Sequence, residues 1–411
     1  MNVVQINASY RIGSTGKIMN DLNDTIVEAG HNGFMVFAYT NEHVNNDNLY
    51  CTSRWPYYLE VRKNLGISRI TGLTGYRNIN STKAAVRWIK EKQPDIIHLH
   101  NIHGDWINLR ILSELIKEVE IPVIWTLHDC WAFTGRCSHF ELSGCDQWKT
   151  GCTERCPNLK VYPISYIFDY SKKMFKDKVA MFGSIRNLTI VTPSQWLADY
   201  VKKSFLGKYP VHVINNGINI DIYKPTKDLP EYIRLDPNKK VILGVAGSWS
   251  KTKGLDDFVE LNKIIDHSRY QIVLVGLKQR QIETLPNSII KVGATQNQDE
   301  LAGIYSVADV FVNLTYQDNY PTTNLEAMAC GTPVLTYRTG GSPESILHEE
   351  WIVNPGDIKQ VLCVIEKIVN SSQSKRFQIS EEERRSFDKK TKYKDYLKLY
   401  TSVYEKAGEI K

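Results

Sequence analysis

The stretch VFVNLTYQDNYPTTNLEAMACGTPVLTYRTGGSPE, residues 310–344, decides the fold class of this chain. It opens on an apolar run, Val310 to Leu314, and contains a second, Val334 to Tyr337, and both runs predict buried strands. Between them, Thr322 or Thr323 can cap a helix that begins near Asn324. Strands joined through a helix are typical of a parallel sheet with helices on both faces.

The same alternation of strands and helices occurs twice along the 411 residues. One series of strand candidates lies between residues 3 and 214, and a second lies between residues 241 and 337. A polar stretch that contains proline, residues 224–240, separates them. We therefore predict two Rossmann-like doubly wound domains, residues 1–220 and 221–390, followed by a C-terminal helix, 391–411, that could cross back to the first domain. Two such domains facing each other form a cleft, and ligands of these sheets bind beyond the carboxyl ends of the strands.

Composition narrows the class of protein. Hydrophobic residues make up 42% and charged residues 23%, as in globular proteins, and the net charge of +6 is too small to indicate a nucleic-acid partner. The sequence has no apolar run long enough for a transmembrane helix, and its first residues do not form a secretory signal. We therefore expect a cytoplasmic protein whose cysteines stay reduced.

Two loops of the second domain are candidates for binding an anionic ligand. Residues 247–254 connect a predicted strand to a helix, where backbone amides and the side chains of Lys251 and Lys253 can hold a phosphate. Glu326, predicted in the first turn of its helix, can accept two hydrogen bonds from a ribose diol. The alternatives are an ordinary loop with solvated lysines, a helix N-terminal acid at Glu326 and a loop cap at Asp318.

The chain resembles the family 4 retaining glycosyltransferases of GT-B fold, and more closely the branch that builds capsular and exopolysaccharide. The resemblance spans nearly the whole chain and depends on motifs in the family's order. Two positions depart from the family pattern, because Asp318 stands where the first acid is Glu and Ser248 stands where the loop has Arg; Lys251 or Arg338 could replace that arginine. The matching motifs are Thr192-Pro193-Ser194, Asn216-Gly217-Ile218-Asn219, Gly247 to Gly254, Asp318 to Val334, and Gly340-Gly341 with Glu344.

The resemblance implies a role for each matched residue. In the second domain, Glu326 would bind the ribose of a UDP- or GDP-sugar and Asp318 would contact the donor sugar. No metal would be needed for catalysis, since lysine and helix N-termini can stabilise the departing diphosphate. The remaining residues expected around the nucleotide are Ser248, Lys251, Lys253, Thr323 and Asn324, with Gly13 and Gly16 of the first domain.

Histidines follow two strands of the first domain. His128 is the candidate catalytic residue, because the family often has a histidine here close to the donor sugar, and Asp129 is its candidate orienting or acceptor-binding neighbour. The alternative is a histidine whose hydrogen bonds are satisfied by the backbone. His98 points inward on its strand and is predicted to be a core residue, and the loop around Gly13 and Gly16 has the alternative of being simply flexible.

Five of the eight cysteines lie between residues 130 and 156, inside a predicted insertion at residues 130–160. In a reducing compartment this density favours a structural zinc site, and the best four ligands are Cys137, Cys145, Cys152 and Cys156. Free buried cysteines and a pair of disulfides are the alternatives.

Residues 162–186 interleave lysines with apolar side chains. Lys172, Lys173, Lys176 and Lys178 alternate with residues such as Met174, Phe175 and Phe182, which is typical of a helix lying on anionic lipid. The alternative is an amphipathic helix packed on its own domain.

Together these patterns predict a cytoplasmic retaining glycosyltransferase, in peripheral contact with the inner face of the plasma membrane if the 162–186 segment binds lipid. It would transfer a hexosyl or related sugar from a nucleotide-sugar to a glycan acceptor, lipid-linked by preference, in surface polysaccharide biosynthesis. The alternatives are a GT-B enzyme with a soluble acceptor and, in another class, a zinc-containing binding module with an inactive cleft.

Overall fold

The computed structural model describes residues 1–370 and 379–409, so short parts of the predicted second domain and of the terminal helix lie outside it. The chain divides into two compact units. Unit 1 comprises Met1–Asn215 together with Tyr393–Lys411, and unit 2 comprises Asn216–Lys392. Within the described residues, every helix is too short or too polar to cross a membrane.

Unit 1 is built on a seven-stranded sheet in the order β3-β2-β1-β4-β5-β6-β7, and every pairing is parallel. The central strands β1, β4 and β5 are almost entirely buried, because helices cover both faces of the sheet. The strands are β1 Asn2–Ile6, β2 Asn32–Phe37, β3 Leu49–Cys51, β4 Ile96–Leu99, β5 Val123–Thr126, β6 Leu188–Thr192 and β7 Val211–Val213. The helices are α1 Gly13–Glu28, α2 Tyr58–Thr71, α3 Ile79–Glu91, α4 Leu109–Val119, α5 Ser171–Phe182 and α6 Gln195–Lys202.

Unit 2 repeats this plan with six parallel strands in the order β10-β9-β8-β11-β12-β13. In both units the order reverses beside the first strand, where the loops after neighbouring strands diverge and leave room for a ligand. The strands are β8 Lys240–Val245, β9 Tyr270–Val275, β10 Ile289–Val292, β11 Val310–Asn313, β12 Val334–Tyr337 and β13 Ile352–Val353. The helices are α7 Leu255–Ile264, α8 Gln279–Thr284, α9 Gln298–Val307, α10 Thr322–Ala329, α11 Ile358–Asn370 and α12 Glu381–Ser386.

The prediction of two parallel α/β domains is confirmed. The two edge strands β3 and β13 were not predicted, because runs of three and two residues are too short to show a periodicity.

The last helix, α13 (Lys389–Glu409), contributes to the core of unit 1. Its residues Tyr393, Tyr396 and Tyr400 are spaced for one helical face and are buried against a cluster that includes Val3 and Ile18. The Tyr400 hydroxyl also lies 2.7 Å from Nδ1 of the buried His98.

Helix α5 packs its apolar face, which the sequence suggested for lipid binding, against the core of unit 1. Met174, Lys178 and Phe182 are each at most 1% exposed, and Phe175 packs against the same core. Lys178 follows Met174 by four residues and precedes Phe182 by four, so all three share one helical face. The interfacial-helix hypothesis is therefore wrong for this face of α5, which is occupied by the core of unit 1.

Candidate active site

The loop between β8 and α7 carries Lys253 at the end of a short 3₁₀ turn. Gly254 follows with φ +72°, and a Cβ there would lie 2.2 Å from the carbonyl oxygen of Leu314, so the turn requires glycine. Lys253 thereby reaches the loop after β11, where its Nζ lies 2.6 Å from Oδ2 of Asp318 and 3.3 Å from the carbonyl oxygen of Gln317. The structure thus pairs two of the predicted site residues.

The glycine pair after β12 shapes the loop that carries Asp318. The backbone N–H of Gly341 donates to the carbonyl oxygen of Asp318 at 3.0 Å. At Gly340, φ is +54° and a Cβ would lie 2.0 Å from the same oxygen, so a side chain would collide with the loop. Gly340 is therefore needed for the backbone that presents the Asp318 carboxylate, whereas Gly341 contributes its N–H from an ordinary backbone conformation of φ −90°.

Glu326 lies on α10 and is held by a tyrosine that the sequence analysis did not single out. Its Oε2 accepts a hydrogen bond of 3.1 Å from the hydroxyl of Tyr305 on α9. Tyr305 is fully buried, and this burial, together with the Glu326 charge, raises the pKa of the phenol, so the hydroxyl stays a donor. A carboxylate can accept further hydrogen bonds, and Glu326 is half-buried.

The start of α10 differs from the prediction. The helix begins at Thr322 with Pro321 as its N-cap, and it lacks a side-chain cap, so neither predicted threonine caps it. Glu326 consequently lies in the second turn rather than the first, where the helix dipole acts more weakly. Asn324 is fully buried and is hydrogen bonded to Asn313 and Ser345, so its side chain supports the loop and is not exposed to a ligand.

Three further residues of the predicted nucleotide site are accessible. Ser248 and Lys251 are exposed on the same β8–α7 loop as Lys253, and Thr323 is half-buried in the first turn of α10.

In unit 1, helix α1 begins at Gly13, which is exposed and has φ +65°. Gly16, one turn later, is buried, and a Cβ there would lie 3.1 Å from backbone atoms of Ser9 and Arg11. The two glycines therefore bring the start of α1 close to the loop that precedes it.

Three histidines lie at and beyond the ends of β4 and β5: His98 and His100 are buried, and His128 is half-buried. His98 is fully buried between Tyr400 and Thr126, which confirms its predicted place in the core. His100 bonds Gln5 through Nε2 at 3.2 Å, and its Nδ1 lies 3.1 Å from Nε2 of His128.

These contacts determine which ring nitrogen of His128 carries the proton. Gln5 donates its amide to the carbonyl oxygen of Met19, which leaves its oxygen to accept from His100 Nε2–H. His100 Nδ1 then accepts from His128 Nε2–H. Burial lowers the pKa of His128 to about 4, so the ring is neutral at pH 7.

Asp129 is bonded to a different histidine from the one expected. Its Oδ2 lies 2.9 Å from Nε2 of His103, and its Oδ1 accepts from the backbone N–H of Trp131 at 2.8 Å. Burial alone would raise the pKa of Asp129, but the charge and hydrogen bond of His103 outweigh it and lower that pKa. His103 also contacts the hydroxyl of Tyr162 at 3.1 Å. The expectation that Asp129 orients His128 is thus replaced by an Asp129–His103 pair.

The turn after Asp129 is anchored by a buried lysine. Lys178 Nζ donates to the carbonyl oxygens of Trp131 and Thr134, the latter at 3.1 Å, and lies 3.5 Å from the centre of the Trp131 ring. Desolvation lowers the pKa of Lys178 to about 7. This lysine, read as a lipid contact from the sequence, instead fixes the backbone beside the histidine site.

The four candidate zinc ligands surround one small cavity. Cys137, Cys145, Cys152 and Cys156 all line a volume of about 10 Å³, together with Arg136 and Trp148. All four are free thiols. In the described part of the chain, no group of three or more His, Cys, Asp or Glu side chains is placed so that it could hold a metal ion.

Two family models match the chain, one in each unit. The model described as Glycosyltransferase Family 4 matches residues 45–222, and the model described as Glycosyl transferases group 1 matches residues 230–392. The putative colanic acid biosynthesis glycosyl transferase WcaC of Escherichia coli (strain K12) is 26% identical over 365 residues, which are 84% of this chain and 85% of that protein.

Solved structures share the fold over almost the whole chain. Sucrose-phosphate synthase from Thermosynechococcus elongatus has a TM-score of 0.72 and 17% identity, and the match covers 98% of this chain and 99% of that one. HepE from Anabaena, in complex with UDP-glucose, has a TM-score of 0.62 and 14% identity, with coverage of 98% and 100%.

Proposed function

The chain belongs to family 4 of the glycosyltransferases and has the GT-B fold, and from this premise we propose that it transfers a sugar, with retention, from a nucleoside diphosphate sugar to a glycan acceptor in surface polysaccharide biosynthesis. One observation carries the proposal most directly. In unit 2, the loops after β8 and β11 bring Lys253 to 2.6 Å from Asp318, within the segment that matches the family's acidic motif.

The chemistry of the leaving group explains this choice of residues. Breaking the bond between the sugar and the diphosphate builds negative charge on the departing oxygen, and a positioned cation stabilises that charge. Lys253 is the residue proposed for this role, with Ser248 and Lys251 on the same exposed loop as further contacts. In this proposal the transfer step itself uses no metal ion.

Glu326 is proposed to bind the ribose. The hydroxyl of Tyr305 donates to its Oε2 and orients the carboxylate, and a carboxylate is the type of acceptor that a vicinal diol requires. Asp318 is proposed to contact the donor sugar once the diphosphate has drawn Lys253 away from it.

The residues of unit 1 are proposed to act on the sugar and the acceptor. His128 is half-buried and neutral at pH 7, and it is proposed to position a sugar hydroxyl rather than to donate a proton. The Asp129–His103 pair is a candidate for binding the acceptor hydroxyl, because its histidine is held in a fixed orientation by two partners.

The similarity to HepE, solved with UDP-glucose, supports a UDP-sugar as the donor to be tested first. The similarity to WcaC supports a polysaccharide precursor as the acceptor. Sucrose-phosphate synthase is named for a soluble product, and a soluble acceptor therefore remains the second candidate.

An exposed surface of unit 1 supports a lipid-linked acceptor at an anionic membrane on the cytoplasmic side. On α2, Leu59 is 68% and Ile70 is 48% exposed. The segment 166–168, whose first residue donates its N–H to the carbonyl oxygen of Arg69, adds three exposed apolar or aromatic side chains. The exposed charged residues of α2 are all basic, namely Arg62, Lys63 and Arg69. Apolar side chains flanked by basic ones suit an anionic lipid surface.

The function is tested by nucleotide binding and transfer. UDP, GDP and ADP are titrated while thermal stability is followed, and a nucleotide that binds the native state raises the melting temperature. We expect UDP to do so in the wild type and not in Glu326→Ala. Mass spectrometry of reactions with UDP-sugars then looks for transfer or hydrolysis. The absence of any shift with all three nucleotides would favour the binding-module alternative.

The membrane surface is tested separately with vesicles. Arg62→Glu combined with Lys63→Glu should abolish salt-sensitive co-sedimentation with phosphatidylglycerol vesicles. The matched control, Lys359→Glu with Lys367→Glu on α11, places the same charges on an exposed helix of unit 2 and should bind as the wild type does. Equal binding by both variants would exclude this surface.

A further inference from the structure

We propose that Cys137, Cys145, Cys152 and Cys156 bind one structural zinc ion, at a site that takes no part in the transfer reaction. The four residues are spread over twenty positions of irregular chain, yet all of them line the same cavity of about 10 Å³. A volume of this size holds about one water-sized atom. Zinc is the common structural ion of four-cysteine sites in reducing compartments.

The four thiols share a cavity but are not placed as a ligand set in this structure, so zinc binding would have to draw them together. In a tetrahedral site with Zn–S bonds of about 2.3 Å, the sulfur atoms are separated by roughly 3.8 Å. The thiols of Cys137 and Cys156 form a hydrogen-bond contact. Cys145 is half-buried in irregular chain between two 3₁₀ turns, Glu141–Ser143 and Gln147–Lys149, where no helix or strand fixes its position.

The buried charges around the cavity are an independent argument. Arg136 lines the cavity and is only 2% exposed; one of its nitrogens donates to the carbonyl oxygen of Pro163, but Nε and Nη1 have no hydrogen-bond partner among the described residues. Lys178, which interacts electrostatically with Cys137 and Cys152, is also buried. Buried N–H groups of a cation that lack acceptors are costly, so Arg136 leaves an imbalance beside the cavity.

A zinc ion with four thiolates resolves this imbalance. The centre carries a net charge of −2, because four thiolate charges exceed the +2 of the metal. The nearest carboxylates have other hydrogen-bond partners: Asp129 is paired with His103, and Asp169, whose charge also acts on Arg136, accepts from the backbone N–H groups of Cys156 and Ser171. The unpartnered N–H groups of Arg136 can then donate to the thiolate sulfurs, as groups surrounding metal ligands do.

Such an ion would hold the turn beside Asp129. At Gly135 a Cβ would lie 2.9 Å from Sγ of Cys152 and 2.6 Å from the carbonyl oxygen of Ser171, so Cys152 packs directly on the chain that follows the Trp131–Thr134 turn. Zinc would therefore fix the chain from residue 130 to residue 156 as one piece, which thiols alone would hold less firmly.

The full chain, purified under reducing conditions, is analysed for metals by mass spectrometry. We expect one zinc per chain, and a fall to a small fraction of this value in Cys145→Ser and in Cys152→Ser. Cys363→Ser is the matched control, since this exposed cysteine on α11 is remote in sequence and should leave the zinc content unchanged.

A second measurement keeps the proposal testable if these variants fold poorly. Zinc is removed from the wild type with a chelator and replaced by cobalt, and a tetrahedral cobalt–thiolate absorption spectrum should appear at one cobalt per chain. Removal should lower the melting temperature while the affinity for UDP stays within about twofold, which separates this site from the proposed transfer site.

Two results would overturn the zinc site. One is a wild-type protein without zinc whose four thiols all react with an alkylating reagent. The other is a pair of disulfides, seen by mass spectrometry of the unreduced, alkylated protein.

Discussion

In the absence of a diphosphate, Lys253 forms an ion pair with Asp318. We therefore predict opposite changes in UDP affinity for substitutions at these two residues. Lys253→Met removes the cation proposed to face the diphosphate, so UDP should bind more weakly. Asp318→Asn releases the lysine from a 2.6 Å ion pair and removes a negative charge beside the binding loop, so UDP should bind more tightly. The same variant should lose turnover, because Asp318 is proposed to contact the donor sugar.

The solvent exposure of the two side chains determines how large the changes in UDP affinity should be. The side chains of Lys253 and Asp318 are 35% and 23% exposed, so the pair is partly screened by solvent and is worth about 0.2–1 kcal/mol. Releasing it should improve UDP affinity by no more than about fivefold. A hydrogen bond from a lysine to a charged group contributes about 1.5–3 kcal/mol, so Lys253→Met should weaken UDP binding by roughly 10- to 150-fold.

Isothermal titration calorimetry with UDP on the two variants and on the double variant measures these effects and their coupling. In the double variant the part of the Asp318→Asn gain that comes from freeing the lysine should disappear, and only the part that comes from removing a negative charge should remain. UDP affinity that is unchanged in Lys253→Met, or weakened in Asp318→Asn as strongly as in Lys253→Met, would refute the reasoning. Measuring at two salt concentrations is a control, since both effects should shrink as salt rises.

Three further predictions concern single residues. Tyr305→Phe removes the hydroxyl that donates a hydrogen bond to Glu326. Because one hydrogen bond between a neutral and a charged group is lost, we expect UDP affinity, measured by calorimetry, to fall by about 2- to 10-fold. Unchanged affinity would show that Tyr305 does not position Glu326 for binding. Because the folded-state pKa of His128 is lowered from 6.5 to about 4, the unfolded chain binds the extra proton, and stability should fall as pH drops from 6.5 towards 4, by roughly 3 kcal/mol for this residue. Urea unfolding at pH 7 and pH 5 tests this, and His128→Gln should show a smaller difference than the wild type. Lys178→Met leaves the carbonyl oxygens of Trp131 and Thr134 without their donor and should lower the free energy of unfolding by about 2–4 kcal/mol, while UDP binding by unit 2 stays unchanged.

The strands that are buried on both faces could be predicted from the sequence. Strands such as β1, β4 and β5 are covered on both faces, so each is an unbroken apolar run that a reader can recognise. Pairs of side chains from distant segments are different. His103 and Asp129 are separated by 26 positions, and Tyr305 and Glu326 by 21, and no periodicity links the members of either pair.

One error could not have been avoided from the sequence: His128 and Asp129 are neighbours in the bend that follows β5, yet His128 contacts His100 and Asp129 contacts His103. A second error has a physical cause that the sequence contained. The lysines of α5 were treated as one group, although Lys178 alone has the spacing of the buried face, four residues from both Met174 and Phe182. A helical-face count would have separated it from Lys172, Lys173 and Lys176.

The packing of α13 determines the order in which the two units can fold during synthesis. Tyr393, Tyr396 and Tyr400 complete the core around β1 and His98, although more than 290 residues lie between His98 and Tyr400. The first half of the chain therefore leaves the ribosome with an unfilled apolar groove and must wait for unit 2 to be translated. A released chain that ends at residue 392 should have a first half that is easily cleaved by protease, whereas unit 2, whose core residues all precede that point, should resist cleavage.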